Sequence, residues 1–361
     1  MQPTVVVFDT SWSRARIRQV AERRRLGSPF FVVVSDDSAT GGTADGCLGV
    51  VLQPLERYDI EDLNLEGIDR PLNVGAGFLD GFRIAGVQLP SSCFDIGENF
   101  LRNTSLLNAV DFSGLTRLRC IPDGFCAQCG VSDIDLRPLA NVVVIGRRFF
   151  SAASNLRSID ATPLSNLTQI PDYFLTSCES LDKVVLPTAC ISHIGRSFLA
   201  NCTSLVEVDP SPMVKCGGVR SIGESFMHNC QSLAKLQIDN IPLLLQVPND
   251  FLSDCHSLTV VKLECPSATV IGDRFLAGCR GLRQFDFSGL ANITSVGYSC
   301  LLGCSELTEL DLTPWTSSSL RISDFFLHRC TKLRCVRLLA ATQVASVIRF
   351  ALSSHVAITW M

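Results

Sequence analysis

Side chains that combine bulk with a polar group are scarce in this sequence. Its 361 residues include three tyrosines, three tryptophans and five histidines, and charged residues make up only 18%. No apolar run is long enough to cross a bilayer, because the apolar tail from Val336 to Met361 is broken by Gln343, Arg349 and His355. No glycine-rich phosphate loop occurs, since the glycines recur about once per stretch of chain, as turn residues do. The histidines His193, His228, His256, His328 and His355 have no serine or aspartate at a fixed offset, so no nucleophile and base are spaced for catalysis, although a pair formed through space stays open. Cys126 and Cys129 form a C-x-x-C near Cys120, but no second pair follows at finger spacing. These gaps point away from a transmembrane protein and from an enzyme, and no cofactor or metal is expected.

The net charge of −4 is unevenly spread. Residues 1–26 carry six arginines against Asp9 and Glu22, about +4, which leaves about −8 for the rest. The body lacks the basic face of a duplex-binding fold, so nucleic acid is a partner only through the basic N-terminal head. The apolar stretch Val5 to Phe8 precedes the basic residues and is too short for a secretory signal. A cytoplasmic location is therefore expected. A mitochondrial presequence, against which Asp9 and Glu22 stand, and a cell-surface location remain alternatives.

What the chain has in abundance is phenylalanine at regular intervals. Phe78, Phe100, Phe125, Phe149, Phe174, Phe198, Phe226, Phe251, Phe275 and Phe326 lie roughly 24 residues apart, with Cys300 in the same place in the tenth of eleven units. Counting from each anchor, Ile or Val stands at −4 and Gly or Pro at −3 in ten units. The best-formed units continue with Cys at +4, Leu at +7 and aliphatics at +10 and +12, as in IPDYFLTSCESLDKVVLP from Ile170. Positions 0, +4 and +7 share one face of a short helix, whereas +10 and +12 alternate as in a half-buried strand. Acidic or amide residues at −2, such as Asp123, Asp172, Glu224, Asn249 and Asp273, suit a helix N-terminus. Each unit thus reads as strand, turn and short helix, and must stack on its neighbours to bury its apolar side.

The L-x-x-L-x-L core at Leu181, Val184 and Leu186, and at Leu307, Leu310 and Leu312, is the leucine-rich-repeat signature, and the flanking I-G/P-x-x-F-L-x-x-C-x-x-L resembles its BspA-type subclass. That subclass is found in bacterial surface proteins and large protozoan families, and the resemblance covers about residues 60–338. It implies an α/β leucine-rich-repeat solenoid, curved, with parallel strands on the concave face and short helices on the convex face. The expected organisation is an N-terminal cap with a basic lead (1–57), a solenoid of about eleven units (58–338) and a C-terminal cap (339–361). Phe30 to Val34 and Leu48 to Leu52 are strand candidates in the first cap, and Val344 to Leu352 with Val356 to Trp360 form a truncated last unit. Bulges are expected in the short units at Phe78 and Phe125 and at the Val214 to Gly218 insertion.

Of seventeen cysteines, Cys129, Cys178, Cys202, Cys230, Cys255, Cys279, Cys304 and Cys330 fall on +4 and read as buried thiols. The sequons at Asn103, Asn166, Asn201 and Asn292 would matter only in the secretory pathway and are read as a habit of the repeat turns.

If +10 and +12 point inward, then +11 lies on the open side of the strand. That column runs Gln88, Asp111, Asp135, Asp160, Val185, Asp209, Gln237, Lys262, Asp286, Asp311 and Arg337. Two explanations stand for its aspartates. They form a stripe that receives a partner's basic segment, or they are consensus residues bonded to nearby donors, as the recurring DFSGL suggests. Lys235, Lys262 and Arg337 mix the sign toward the C-terminal end. The expected function is a non-catalytic scaffold or adaptor binding a protein on this face through Asp111, Asp135, Asp160, Asp209, Asp286, Asp311, Lys262 and Arg337. Adhesion at the cell surface is the alternative. Substrate recognition in a ubiquitin ligase is a third reading, for which no F-box-like segment precedes the repeats.

Overall fold

One repeat makes one coil with two short strands, and each strand pairs in parallel with its counterpart in the next coil. The computed structural model describes residues 72–339 apart from positions 90, 92 and 211–217, together with strands Thr4–Asp9, Phe30–Ser35, Leu48–Val50, Asp59–Asn64 and Ala357–Trp360. These residues fall into two units, Met1–Ile159 and Asp160–Met361. Positions 214–217 of the insertion and Val344 to Leu352 lie outside the described residues.

The +10 and +12 alternation produces the first ladder. In the second unit, Lys235–Ile238 is alternately exposed and buried and pairs residue for residue with Val260–Leu263. In the first unit, Asp59–Asn64 pairs with Arg83–Gln88, and that strand pairs with Ala109–Asp111. The aliphatic at −4 produces a second ladder that the sequence pattern did not announce as a strand. Gln169–Ile170, His193–Ile194 and Ser221–Ile222 pair in parallel in the second unit. Leu48–Val50, Leu72–Val74 and Cys93–Ile96 do so in the first, with a register shift at Leu72/Asn73. Phe30–Ser35 joins Leu48–Val50 antiparallel and Thr4–Asp9 in parallel. Ala357–Trp360 adds to Cys335–Leu338.

The short helices expected on the other side do not form. Among the described residues there are only three one-turn 3-10 segments, Ser113–Leu115, Arg137–Leu139 and Ser288–Leu290, none of them at an anchor. Instead the backbone changes hand at every residue around the anchor: in all eleven units, positions −1, +1 and +3 have positive φ. At Met227 (+1), for example, φ is 50°, between 59° at Ser225 and 57° at Asn229. Left-handed non-glycine residues cost roughly 1 kcal/mol or more each, so neighbouring coils have to hold them.

The hydrogen bonds show how they are held. Ser225 and Asn229 donate their N–H groups forward to the Asn249 and Ser253 carbonyls, at 2.9 and 2.8 Å, while Met227 N–H donates back to the Phe198 carbonyl at 2.9 Å. Inside the coil, His228 N–H closes a turn on the Ser225 carbonyl at 3.2 Å. The same forward, back and local bonds recur from coil to coil within each unit. An α-helix would direct these groups along its own axis, leaving nothing to bind the next coil. The protein is therefore a parallel-strand β-solenoid of stacked coils rather than an α/β layer with outer helices.

Three consensus positions find their reason in this arrangement. The +4 thiols donate to the +1 carbonyl of the preceding coil: Cys202 to Leu175, Cys230 to Leu199, Cys279 to Leu252 and Cys304 to Leu276, each at 3.1 Å. Burial pushes the Cys202 thiol up to about 12, so it stays protonated and able to donate. The acidic or amide residue at −2 caps no helix. Asp123 and Asp172 accept the N–H of the −2 residue one coil on, from Arg147 at 2.7 Å and Arg196 at 3.0 Å. Glycine at −3 is required by close approach: a Cβ on Gly223 would lie 2.4 Å from the Arg196 backbone nitrogen.

The anchors form ladders of stacked rings. Phe78, Phe100, Phe125 and Phe149 stack in the first unit with centroids 5.4, 5.4 and 5.7 Å apart. In the second unit Phe198 is fully buried between Phe174 at 5.9 Å and Phe226 at 5.3 Å. Phe198→Ala should cost about 3 to 5 kcal/mol in denaturant unfolding. A loss under about 1 kcal/mol would show that this ring is not a core anchor.

Candidate interaction surface

Alternation along each first-ladder strand turns +10 and +12 inward and leaves +9 and +11 outside. Strand pairing brings the +11 side chains of successive coils side by side. Gln88 lies opposite Asp111 in the first unit, and in the second Gln237 lies opposite Lys262 and Asp286 opposite Asp311, which in turn faces Arg337. Asp111, Asp135, Asp160, Asp209, Asp286, Lys262 and Arg337 are exposed, and Asp311 is half-buried.

Most of these aspartates also close a turn. Asp111 accepts the Ser113 N–H at 2.8 Å and Asp135 the Arg137 N–H at 2.9 Å. Asp160 accepts the Thr162 N–H at 2.9 Å, Asp286 the Ser288 N–H at 2.8 Å and Asp311 the Thr313 N–H at 2.9 Å. A side chain that captures the N–H two residues on ends the strand and starts the turn, a habit of Asp and Asn. At Asp111 and Asp160 only Oδ1 is engaged, and Oδ2 makes no hydrogen bond with a described residue. Arg137 forks onto Asp135 at 2.8 to 3.0 Å and holds that carboxyl below the usual carboxylate range.

The cations of this face differ in how far they are committed. Lys262 Nζ lies 2.7 Å from Glu264 and 3.0 Å from Asp239, which raise its pKa, and Arg337 bonds Glu309 at 3.2 Å. Lys183 and Lys235, both at +9, make no ion pair with a described residue. Around them Val185, Val206 and Val260 are 38, 52 and 43% exposed. Exposed valines on a strand otherwise carrying charges are the surface feature that reading the consensus missed. The signal was there: Val185 and Val260 occupy outward positions that carry polar residues in most other coils.

Stacking also creates a contact that linear spacing could not show. His228 Nδ1 lies 2.7 Å from Ser253 Oγ, which bonds the Asp250 carboxylate at 3.0 Å, and Arg274 joins Asp250 at 2.7 Å to Asp254 at 2.9 Å. Ser253 is completely buried, so its hydroxyl faces no solvent for a substrate to occupy, and the network ties three successive coils together. Cys126 and Cys129 are buried, Cys120 is exposed on a strand, and among the described residues no group of His, Cys, Asp or Glu is placed to hold a metal ion. His193 is exposed beside Ser192 Oγ at 2.8 Å, with no carboxylate in the set. Of the sequon asparagines, Asn103 donates its amide to Asp80 at 2.9 Å and Asn292 to the Pro266 carbonyl at 2.8 Å, so both already bridge coils.

The BspA type leucine rich repeat region family matches residues 119–259 and 220–354, with six copies. No curated protein matches the chain. Among solved structures, a leucine-rich repeat protein from Bacteroides ovatus is 21% identical over 91% of this chain and 98% of its own, with a TM-score of 0.45. A leucine rich cell surface protein from Faecalibacterium prausnitzii is 16% identical over 91% and 99%, with a TM-score of 0.44.

If Asp111 and Asp286 serve the turns, Asp→Asn at either site, which keeps the Oδ1 acceptor, should leave the unfolding free energy within about 0.5 kcal/mol. Asp→Ala should cost about 1 kcal/mol. Equal effects of Asn and Ala in thermal denaturation would remove the turn-closing role.

Proposed function

The chain belongs to the BspA-type leucine-rich repeat family, whose match spans well over half of it, and from that premise we propose that it is a non-catalytic scaffold or adaptor docking a protein partner on its exposed strand face. The observation that carries this reading is the second unit's combination of exposed Val185, Val206 and Val260 with Lys183 and Lys235, which make no ion pair with a described residue. A protein interface joins an apolar centre to a polar rim, and a row of short strands offers a stiff backbone beneath both. The contact residues of the second unit are Asp160, Asp209, Asp286, Asp311, Lys262 and Arg337, and Asp111 and Asp135 take the equivalent +11 positions on the first unit's own strand face. Where Oδ2 stays free, an aspartate can serve its turn and a partner's cation together. Lys262 and Arg337, already paired, contribute more to orientation than to affinity.

A lysate pull-down with tagged full-length chain checks this. Lys183→Glu, Lys235→Glu and Val260→Asp together should abolish recovery of the saturable partner while the melting temperature holds. Undiminished recovery would place the partner elsewhere.

A second reading, adhesion at the cell surface, is favoured by Cys190, which among the described residues is the one disulfide-bonded cysteine. Disulfides persist in oxidising compartments and are rare in the cytosol. Alkylation of protein from its native source under denaturing, non-reducing conditions, followed by mass spectrometry, separates the two readings. Protection of Cys190 supports the surface reading, and full labelling returns the adaptor to a reducing compartment.

A further inference from the structure

A different edge of the second unit carries charge of one sign once its ion pair is set aside. Positions +5 to +8 of the last three described coils form the corner that leads into the first-ladder strands. There Arg280, Arg283 and Arg334 are exposed and make no ion pair or side-chain hydrogen bond with any described residue. Thr308 N–H donates to the Arg283 carbonyl at 3.1 Å and Arg334 N–H to the Thr308 carbonyl at 2.9 Å, so Arg283, Thr308 and Arg334 stand in one column. The single acid within these segments, Glu306, is held by Lys332 at 2.6 Å, and the next acid along the strand, Glu309, by Arg337 at 3.2 Å. Among the described residues, three guanidinium groups are thus left without a counter-charge along an otherwise neutralised edge.

We propose that this edge docks an acidic, extended segment of another protein, with carboxylates three residues apart. Guanidinium forks pair bidentately with carboxylates, which a row of lysines would not do. Spacing selects the conformation. Coils lie about 4.8 Å apart, so Arg283 and Arg334, two coils apart, stand about 9.6 Å from each other. A polyproline II segment advances about 3.1 Å per residue with three residues per turn, so side chains three apart share a face at about 9.3 Å. A β-strand repeats its face about every 6.8 Å and falls out of step. None of the exposed large apolar side chains lies within these three segments, so the edge has neither an aromatic platform for single-stranded nucleic acid nor an apolar anchor for a membrane. This site is separate from the strand-face interface, and either can fail alone.

The test is fluorescence anisotropy with full-length protein and a labelled peptide carrying glutamate at every third position between prolines. Wild type should bind the peptide, more weakly as salt rises, and should not bind its glutamine counterpart. Arg283→Gln with Arg334→Gln should weaken binding about tenfold or more. Lys183→Gln with Lys235→Gln, an equal change in net charge, should leave it unaltered, with both variants melting like wild type. Absent binding, equal loss in both double variants, or tighter binding of a heparin fragment or a single-stranded oligonucleotide would overturn the proposal.

Discussion

Everything in this architecture depends on where the backbone groups of the anchor turn direct their hydrogen bonds. By alternating hand at −1, +1 and +3, a turn inside either unit sends two N–H groups to the coil ahead and one to the coil behind. The strained conformation persists because both neighbours hold it, and they are held in the same way. Stability is therefore cooperative along each unit, as expected for a stack of elements that touch only their neighbours. The thiols of Cys202, Cys230, Cys255, Cys279, Cys304 and Cys330 belong to the same system, since each donates to a carbonyl of the preceding turn. Their value is a small apolar volume with a weak donor at its tip.

This arrangement explains why one side of the coil is free for recognition. The turn side spends its polar groups on neighbouring coils, through aspartates at −2 and networks such as His228, Ser253 and Asp250. On the first-ladder side, the backbone bonds lie in the sheet and half the side chains project outward without a structural task. The exceptions are aspartate at +11, which ends the strand, and the ion-paired Lys262 and Arg337. Any partner of this face meets carboxylates whose positions the turns have already set, so little ordering remains on binding.

Much of this was legible in the chain. The period, the anchors from Phe78 to Phe326, the inward +10 and +12 positions and the burial of the +4 cysteines all follow from hydrophobic spacing. The helix expected at the anchor was not there, because offsets of 0, +4 and +7 suit a helix and also suit a turn that alternates hand. Two signals separated them. Bulky residues such as Leu175, Leu199 and Met227 follow the anchor directly and are buried with it, and Asn, Asp, Ser or Gly recur at −1 and +3, where positive φ is needed. The second ladder was obscured because strands of two residues are too short to show alternation.

By itself, then, the amino-acid sequence determined the repeat, its register, its core and the family, because apolar spacing records which residues are removed from water. Only the tertiary structure decided that the coil is two strands and a left-and-right-handed turn rather than a strand and a helix. It alone also showed that His228 meets Ser253, and that Lys183, Lys235, Arg283 and Arg334 make no ion pair with a described residue. The physical reason is common to all of these. Each depends on which groups meet across neighbouring coils, about 24 residues apart in the chain, and hydrophobic spacing within one coil carries no record of its neighbour's hydrogen bonds.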